Sequence, residues 1–339
     1  MTAKYKQLIL GIESSCDETS AAIIKVENNK FSILSNIISS QIKIHQQYGG
    51  VVPEVAARNH VINIIPVVQQ ALMKARVTPK EIGLLATTAG PGLITSLMVG
   101  LETSKTLAYT WQKPIVPVNH MKGHIYANWF NNKKISFPAI ALIVSGGHTE
   151  LILMKNKTNF KKIGQTVDDA AGEAFDKVAQ LLNIGYPGGP IVSKLALDGD
   201  PKSFALPRPM IDNQNFNFSF SGLKTAVLYT VKKIKKLDDK IKADICASFQ
   251  QAVVDVLTLK TIKAAKHYKA KTIILAGGVA ANKLLRESLS GASEKEKINF
   301  SLPEIILCTD NAAMIAAAGY FGKPQPWQKI KVDPNLEIK

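Results

Sequence analysis

The chain has 339 residues, 46% apolar and 20% charged, which supports a packed core and excludes an intrinsically disordered chain. At about 100–200 residues per domain, that length predicts two domains. Lys and Arg total 42 against 26 Asp and Glu, a formal net charge of +16 that favours a polyanionic partner. Only four of the cations are arginine (Arg58, Arg76, Arg208, Arg286). Arginine is the side chain best suited to bidentate phosphate contact, so the charge permits a nucleic-acid partner without requiring one.

In chain order, β-type apolar runs fall at Gln7–Ile12, Ser20–Val26, Gly83–Ala89, Pro114–Val118, Pro138–Val144, Glu150–Met154, Lys271–Ala276 and Ile305–Cys308. Helical patterns cover Glu54–Ala75, Gly92–Trp111, Asp169–Leu182, Gly222–Lys236, Ala243–Tyr268, Ala281–Leu289 and Asn311–Phe321. Strands alternating with helices predict an α/β protein. A strand–turn–strand unit at Gln7–Val26 is echoed at Ala139–Met154, and polar Asn131–Lys134 places a boundary near residue 136. The apolar run Leu8–Ile12 is too short for a signal peptide, no continuously apolar stretch of about 18 residues is present to span a bilayer, and three separated cysteines form no disulfide framework. A cytoplasmic protein without a membrane partner is expected.

Several segments hold residue types suited to chemistry. His120 and His124 sit four apart, so on a helix they share a face and can bind one metal ion. Met121 stands where a zinc peptidase of the HExxH type carries its glutamate. The turns Gly11–Thr19 and Ser145–Thr149 can expose backbone N–H groups to phosphate. Ile273–Lys283 reads strand, double glycine, helix start. Asp169, Glu173 and Asp176 form an acidic stripe with no balancing cation among them, followed by a rigid turn at Tyr186–Pro190. Asp310 reads equally as a ligand at a strand end or as a helix cap. Lys224, Lys232, Lys233, Lys235, Lys236, Lys240 and Lys242, with Lys260, Lys263, Lys266 and Lys269, read as a solvated face or a phosphate-contacting surface.

Taken together, GIESSCDETSAA (Gly11–Ala22), YGGVVPEVAARNH (Tyr48–His60), TAGPGL (Thr88–Leu93), NHMKGH (Asn119–His124), VSGGHTEL (Val144–Leu151) and DDAAGEAFDK (Asp168–Lys177) closely resemble one family. YPGGP (Tyr186–Pro190), FSFSGLKTAV (Phe218–Val227), GGVAAN (Gly277–Asn282) and CTDNAAMIA (Cys308–Ala316) extend the match. This is the bacterial tRNA N6-adenosine threonylcarbamoyltransferase family, once named O-sialoglycoprotein endopeptidase. The resemblance implies the two-lobed actin/Hsp70/sugar-kinase-like fold, a duplicated ribonuclease-H-like unit with a central nucleotide cleft. It implies a first lobe of residues 1–136 joined by about 305–325, a second lobe of 137–304 and a tail of 326–339.

It also implies transfer of a threonylcarbamoyl group from threonylcarbamoyl-AMP to N6 of adenosine 37 in tRNAs that read ANN codons, with release of AMP. By resemblance, His120, His124 and Asp310 hold one divalent metal, iron(II) ahead of zinc(II). Ile143, Val144, Ser145, Gly146, Gly147, Asp176, Gly189 and Asn282 bind substrate, and Asp17 and Glu18 are the catalytic candidates. The implied partners are tRNA, a degenerate paralogue and a small P-loop ATPase. The competing readings are a metallopeptidase, which the missing glutamate opposes, and a small-metabolite kinase, which has no use for a histidine pair.

Overall fold

The computed structural model describes residues 6–338, which divide into two compact units, residues 6–134 with 303–338, and residues 135–302. In the first, strands β1 (Lys6–Glu13), β2 (Glu18–Glu27), β3 (Lys30–Ser40), β4 (Leu84–Gly90) and β5 (Ile115–Asn119) form a sheet of order β3-β2-β1-β4-β5. β1, β2 and β3 make an antiparallel meander, while β4 and β5 run parallel to β1. Parallel neighbours need crossover helices, supplied by Pro53–Ala75 and Ile94–Trp111. Proline opens the first of these helices, where its missing N–H leaves no bond unmade.

Helix Ala312–Tyr320 is apolar all round and buried along nearly its whole length, as such a helix must be. Its alanines let it lie directly on β1: a Cβ at Gly11 would stand 2.1 Å from the Ala312 carbonyl oxygen. Beyond it, Ile330 joins the core of this unit and Trp327 packs against Tyr109.

The second unit repeats the plan. β6 (Ala139–Val144), β7 (Thr149–Met154), β8 (Phe160–Gln165), β9 (Thr272–Ala276) and β10 (Asn299–Ser301) take the order β10-β9-β6-β7-β8. Its meander is β6-β7-β8, and β9 and β10 are the parallel members. Every residue of β6, β7 and β9 is buried, which explains their continuous apolar runs. In both sheets the first strand of the meander sits at the centre and carries the parallel pair on its far side, so the echo between the two hairpins is a duplicated sheet.

Four sequence expectations are corrected. Ile305–Cys308 is not a strand: Ile305–Leu307 is a 3₁₀ turn with Ile305 and Ile306 exposed, and the backbone of Ile115 on β5 instead pairs with Gln325. Strands β3, β8 and β10 escaped the pattern because they are edge strands, polar or only three residues long. The turn at Tyr186–Pro190 already contains a helix start, since Gly188–Leu195 is helical.

The lysines at 260–269 are not one solvated row. Lys260 is fully buried and its Nζ donates to the Asn215 carbonyl at 3.1 Å, while Lys263 donates to the Asn213 carbonyl at 2.8 Å. These two staple the preceding loop onto helix Asp239–His267.

Candidate functional site

β1 and β2 pair as far as Glu13 opposite Ser20, and residues 14–17 join them, with Glu18 and Thr19 pairing only to β3. Three neighbours fix this connection. The Gln41 N–H donates to the Asp17 carbonyl at 3.1 Å. Buried His60, from helix Pro53–Ala75, lies 2.7 Å from Thr19 Oγ1 through Nδ1 and 2.9 Å from the Cys16 carbonyl through Nε2. Ser14 Oγ donates to the Ser96 carbonyl at 2.8 Å.

β5 runs straight into helix His120–Tyr126, capped by the Asn119 side chain, which accepts the Lys122 N–H. The helix turns His120 and His124 onto one face, their rings 4.6 Å apart and nearly perpendicular at 81°. Asp310 arrives between the 3₁₀ turn and helix Ala312–Tyr320. Asn311, not Asp310, caps that helix by accepting the Met314 N–H, which leaves the Asp310 carboxylate to meet the imidazoles.

The two Nε2 atoms are 3.1 Å apart, and Asp310 Oδ1 lies 3.4 Å from His120 Nε2 and 3.2 Å from His124 Nε2. Donors bonded to one ion at about 2.1 Å stand roughly 3.0–3.4 Å from one another. Two imidazoles and a carboxylate at these separations therefore fit a single divalent ion, and the donor set suits iron or zinc.

Charge is concentrated around this triangle. Burial alone would lower the His120 imidazole, but the Asp310 and Glu13 carboxylates hold it well above its ordinary value. His124 is lowered, chiefly by burial. Asp310 is held well below the usual carboxylate range because the two imidazoles outweigh its desolvation. Glu18 is pushed up to about 9, first by burial and then by Asp17 and Asp310. Its side chain hydrogen-bonds to Asp17 and accepts from Ser40 Oγ at 2.7 Å.

Sequence reasoning missed Glu13, Thr88 and His60. All three stand inside the quoted motifs, but a lone glutamate ending an apolar strand carries no sign of what it will meet.

The remaining sequence-derived residues lie in the second unit. Ile143 and Val144 are the buried end of β6, with their side chains in the core. Ser145 shapes the turn: its Oγ accepts the His148 N–H and its carbonyl accepts the Gly172 N–H. Gly146 and Gly147 are exposed, and a Cβ on either would meet nothing within 4 Å. At Gly277 (φ +90°) a Cβ would stand 2.4 Å from the Val144 carbonyl oxygen, whereas adjacent Gly278 is open. Gly188 and Gly189 repeat that contrast, with Gly188 against the Phe175 carbonyl at 2.5 Å. In each pair one glycine packs against backbone and the next has open space where a Cβ would stand.

Asp176 accepts the Gly188 and Gly189 N–H groups, which lower its pKa, but burial dominates and raises it. The acidic stripe is not unbalanced as expected: Lys177 reaches Asp169 at 2.7 Å and Glu173 at 2.8 Å, and Lys224 lies 3.4 Å from Asp169. Asn282 caps helix Lys283–Lys295 through Oδ1, and its Nδ2 donates to Ser193 Oγ at 2.9 Å and Gln250 Oε1 at 2.8 Å. Ser193 and Gln250 border a cavity of about 280 Å³, also walled by Ala196, Leu197 and Leu284.

The fold and the His/His/Asp group define an actin/Hsp70/sugar-kinase-like α/β protein with a candidate site for one divalent ion. Solved structures support the fold: HypF from T. kodakarensis superposes with a TM-score of 0.62 at 14% identity, covering 94% of this chain and 47% of that one. Component A of (R)-2-hydroxyglutaryl-CoA dehydratase from Acidaminococcus fermentans gives 0.53 at 16% identity, covering 96% and 98%. A family model described as tRNA N6-adenosine threonylcarbamoyltransferase matches residues 32–317. The enzyme of that name from Thermosipho africanus is 53% identical over 313 residues, 92% of this chain and 93% of its own. That from Desulfitobacterium hafniense is 52% identical over 314 residues, 92% and 91%. The chain belongs to the tRNA N6-adenosine threonylcarbamoyltransferase family.

Proposed function

We propose that this chain is the transferase that moves a threonylcarbamoyl group from threonylcarbamoyl-AMP to N6 of adenosine 37 in tRNAs reading ANN codons. The observation that carries the reading is the triangle of donor atoms on His120, His124 and Asp310, with edges of 3.1–3.4 Å, in a chain of this family. A divalent ion held there, iron(II) in preference to zinc(II), would supply Lewis-acid polarisation of the acyl group.

The chain's own residues carry the rest. The open backbone N–H groups at Gly146 and Gly147 hold the adenylate phosphate. Asp176 and the Gly189 backbone take ribose hydroxyls. Asn282, locked by Ser193 and Gln250, sets the wall that orients the nucleoside beside the 280 Å³ cavity.

The adenine N6 forms a bond to the carbamoyl carbon as the carbon–oxygen bond to phosphate breaks, and AMP leaves. N6 then gives up a proton. Asp17 and Glu18 are the candidates to take it, and in the metal-free chain burial first, then Asp17 and Asp310, push Glu18 up to about 9.

The reading also places the reaction in the cytoplasm, where tRNA is. Among the described residues no helix is long and apolar enough to cross a membrane. For the tRNA surface, the candidates are the exposed Lys232, Lys233, Lys235 and Lys236, together with the exposed Lys266, Lys269, Lys271 and Lys297 around a groove beside Ser136. For the paralogue partner, helix Pro53–Ala75 exposes Val61, Ile62, Ile65 and Met73, and helix Ile94–Trp111 exposes Ile94 and Met98. Exposed apolar stripes of this kind mark protein contacts. The small ATPase enters through the family alone.

The test is to incubate the protein with threonylcarbamoyl-AMP, the partner proteins and unmodified tRNA. Threonylcarbamoyladenosine should form; its absence with every partner active would contradict the reading.

A further inference from the structure

We infer that Glu13 is the positioning residue that sets which nitrogen of His120 faces the metal site, and so tunes the affinity of that site. The inference rests on the metal reading of His120, His124 and Asp310.

The glutamate is fully buried at the end of β1, and each of its oxygens already has a donor. Oε1 accepts the Ser15 N–H at 2.6 Å, and a backbone N–H can only donate. Oε2 accepts the Thr88 hydroxyl at 2.8 Å and lies 2.9 Å from His120 Nδ1. A carboxylate has no hydrogen to give, so Nδ1 must carry the proton at this contact. Ser15 Oγ, 3.2 Å from Nδ1, accepts from the same side.

With the proton on Nδ1, the neutral ring presents an unprotonated Nε2 towards His124 and Asp310. A carboxylate behind a metal-bound imidazole fixes its tautomer, its orientation and its basicity. His124 has no equivalent support: its Nδ1 is buried and has no hydrogen-bond partner among the described residues. The two imidazoles are therefore unequal, one backed by a carboxylate at Nδ1 and one contacted only through Nε2.

Glu13→Gln separates the possibilities because the amide must place an NH₂ where one carboxylate oxygen stood. With the NH₂ towards Ser15 it opposes another donor. Turned to His120 instead, it forces Nδ1 to accept and moves the ring proton to Nε2, blocking the ligand atom.

The experiment titrates zinc into the full-length wild type and the Glu13→Gln variant against a chelator of known affinity. Melting of the metal-free proteins is followed in parallel. The expected result is zinc binding weakened by about 10–100-fold in the variant, with the metal-free melting curve retained. Equal affinity in both proteins would overturn the inference and leave the metal reading standing; a wild type that binds neither zinc nor iron(II) would remove the metal reading itself. If the variant does not fold, histidine ¹⁵N spectra of the zinc-loaded wild type decide. A proton on His120 Nδ1 is expected, and zinc on Nδ1 or a proton on Nε2 would overturn the proposal.

Discussion

The two units share a strand order and differ in what they hang on it. Around the end of β1 and the start of β2 the first unit places Glu13, Ser15, Asp17 and Glu18; Glu13 and Ser15 meet the His120 imidazole, and Asp17 and Asp310 bear on Glu18. After β6 the second unit places Ser145, Gly146 and Gly147, and the glycines leave backbone facing open space. The first unit gathers buried charged side chains that constrain each other, whereas the second sets glycines with open space beside glycines packed against backbone. One sheet plan therefore carries different surroundings in its two copies: titratable side chains gathered from several elements in the first, open glycines beside packed ones in the second.

Removing a donor from the triangle puts that contrast under the greatest stress. His120→Ala should lose metal binding and lower transfer by more than about 100-fold, the upper end seen for supporting residues around metals, with the fold intact. Transfer at the wild-type rate would end the metal assignment. In the second unit the largest effect should fall on stability. Gly277→Ala puts a Cβ against the Val144 carbonyl at a positive φ and should cost about 2–4 kcal/mol. Gly278→Ala should change stability by less than about 0.5 kcal/mol. Paired melting curves check this, and equal losses would show that packing and open glycines are not distinct.

Glu18 gives a pH signature in the metal-free protein. Its folded pKa of about 9 lies above the ordinary value of 4.5, so the folded state binds the extra proton between those limits. Stability should fall as pH rises from about 5 to 9, and Glu18→Gln should flatten that slope. A variant with an unchanged slope would rule out a protonated Glu18. The smallest effect is expected at the surface, on replacing Lys232, Lys233, Lys235 and Lys236 with Ala. The salt dependence of tRNA binding should become shallower, by about 0.7–0.9 in log–log slope for each phosphate left without its lysine. Adenylate binding should not change.

Much of the frame was legible in the sequence. The alternation of apolar runs and helices predicts the α/β class, and the His120/His124 spacing puts two rings on one helix face. What escaped depended on distant partners. Glu13 becomes meaningful only when β4 brings Thr88 and β5 brings His120 beside it. Lys260 reads as a surface lysine until a loop 45 residues earlier supplies its acceptor. Ile305 and Ile306 have strand composition, yet they turn out to solvent while Gln325 takes the place beside Ile115. Asp310 could not be resolved between ligand and cap, because the decision belongs to Asn311 next to it.

Whether transfer to tRNA depends on the ion of the triangle is decided by a stoichiometry. Protein stripped of metal and then reloaded is given threonylcarbamoyl-AMP and unmodified tRNA with its partner proteins, and modified adenosine is counted against released AMP. The expected result is no transfer by the stripped protein and, after reloading, one AMP per modified adenosine. Undiminished transfer by protein shown to be metal-free would contradict the role assigned to His120, His124 and Asp310.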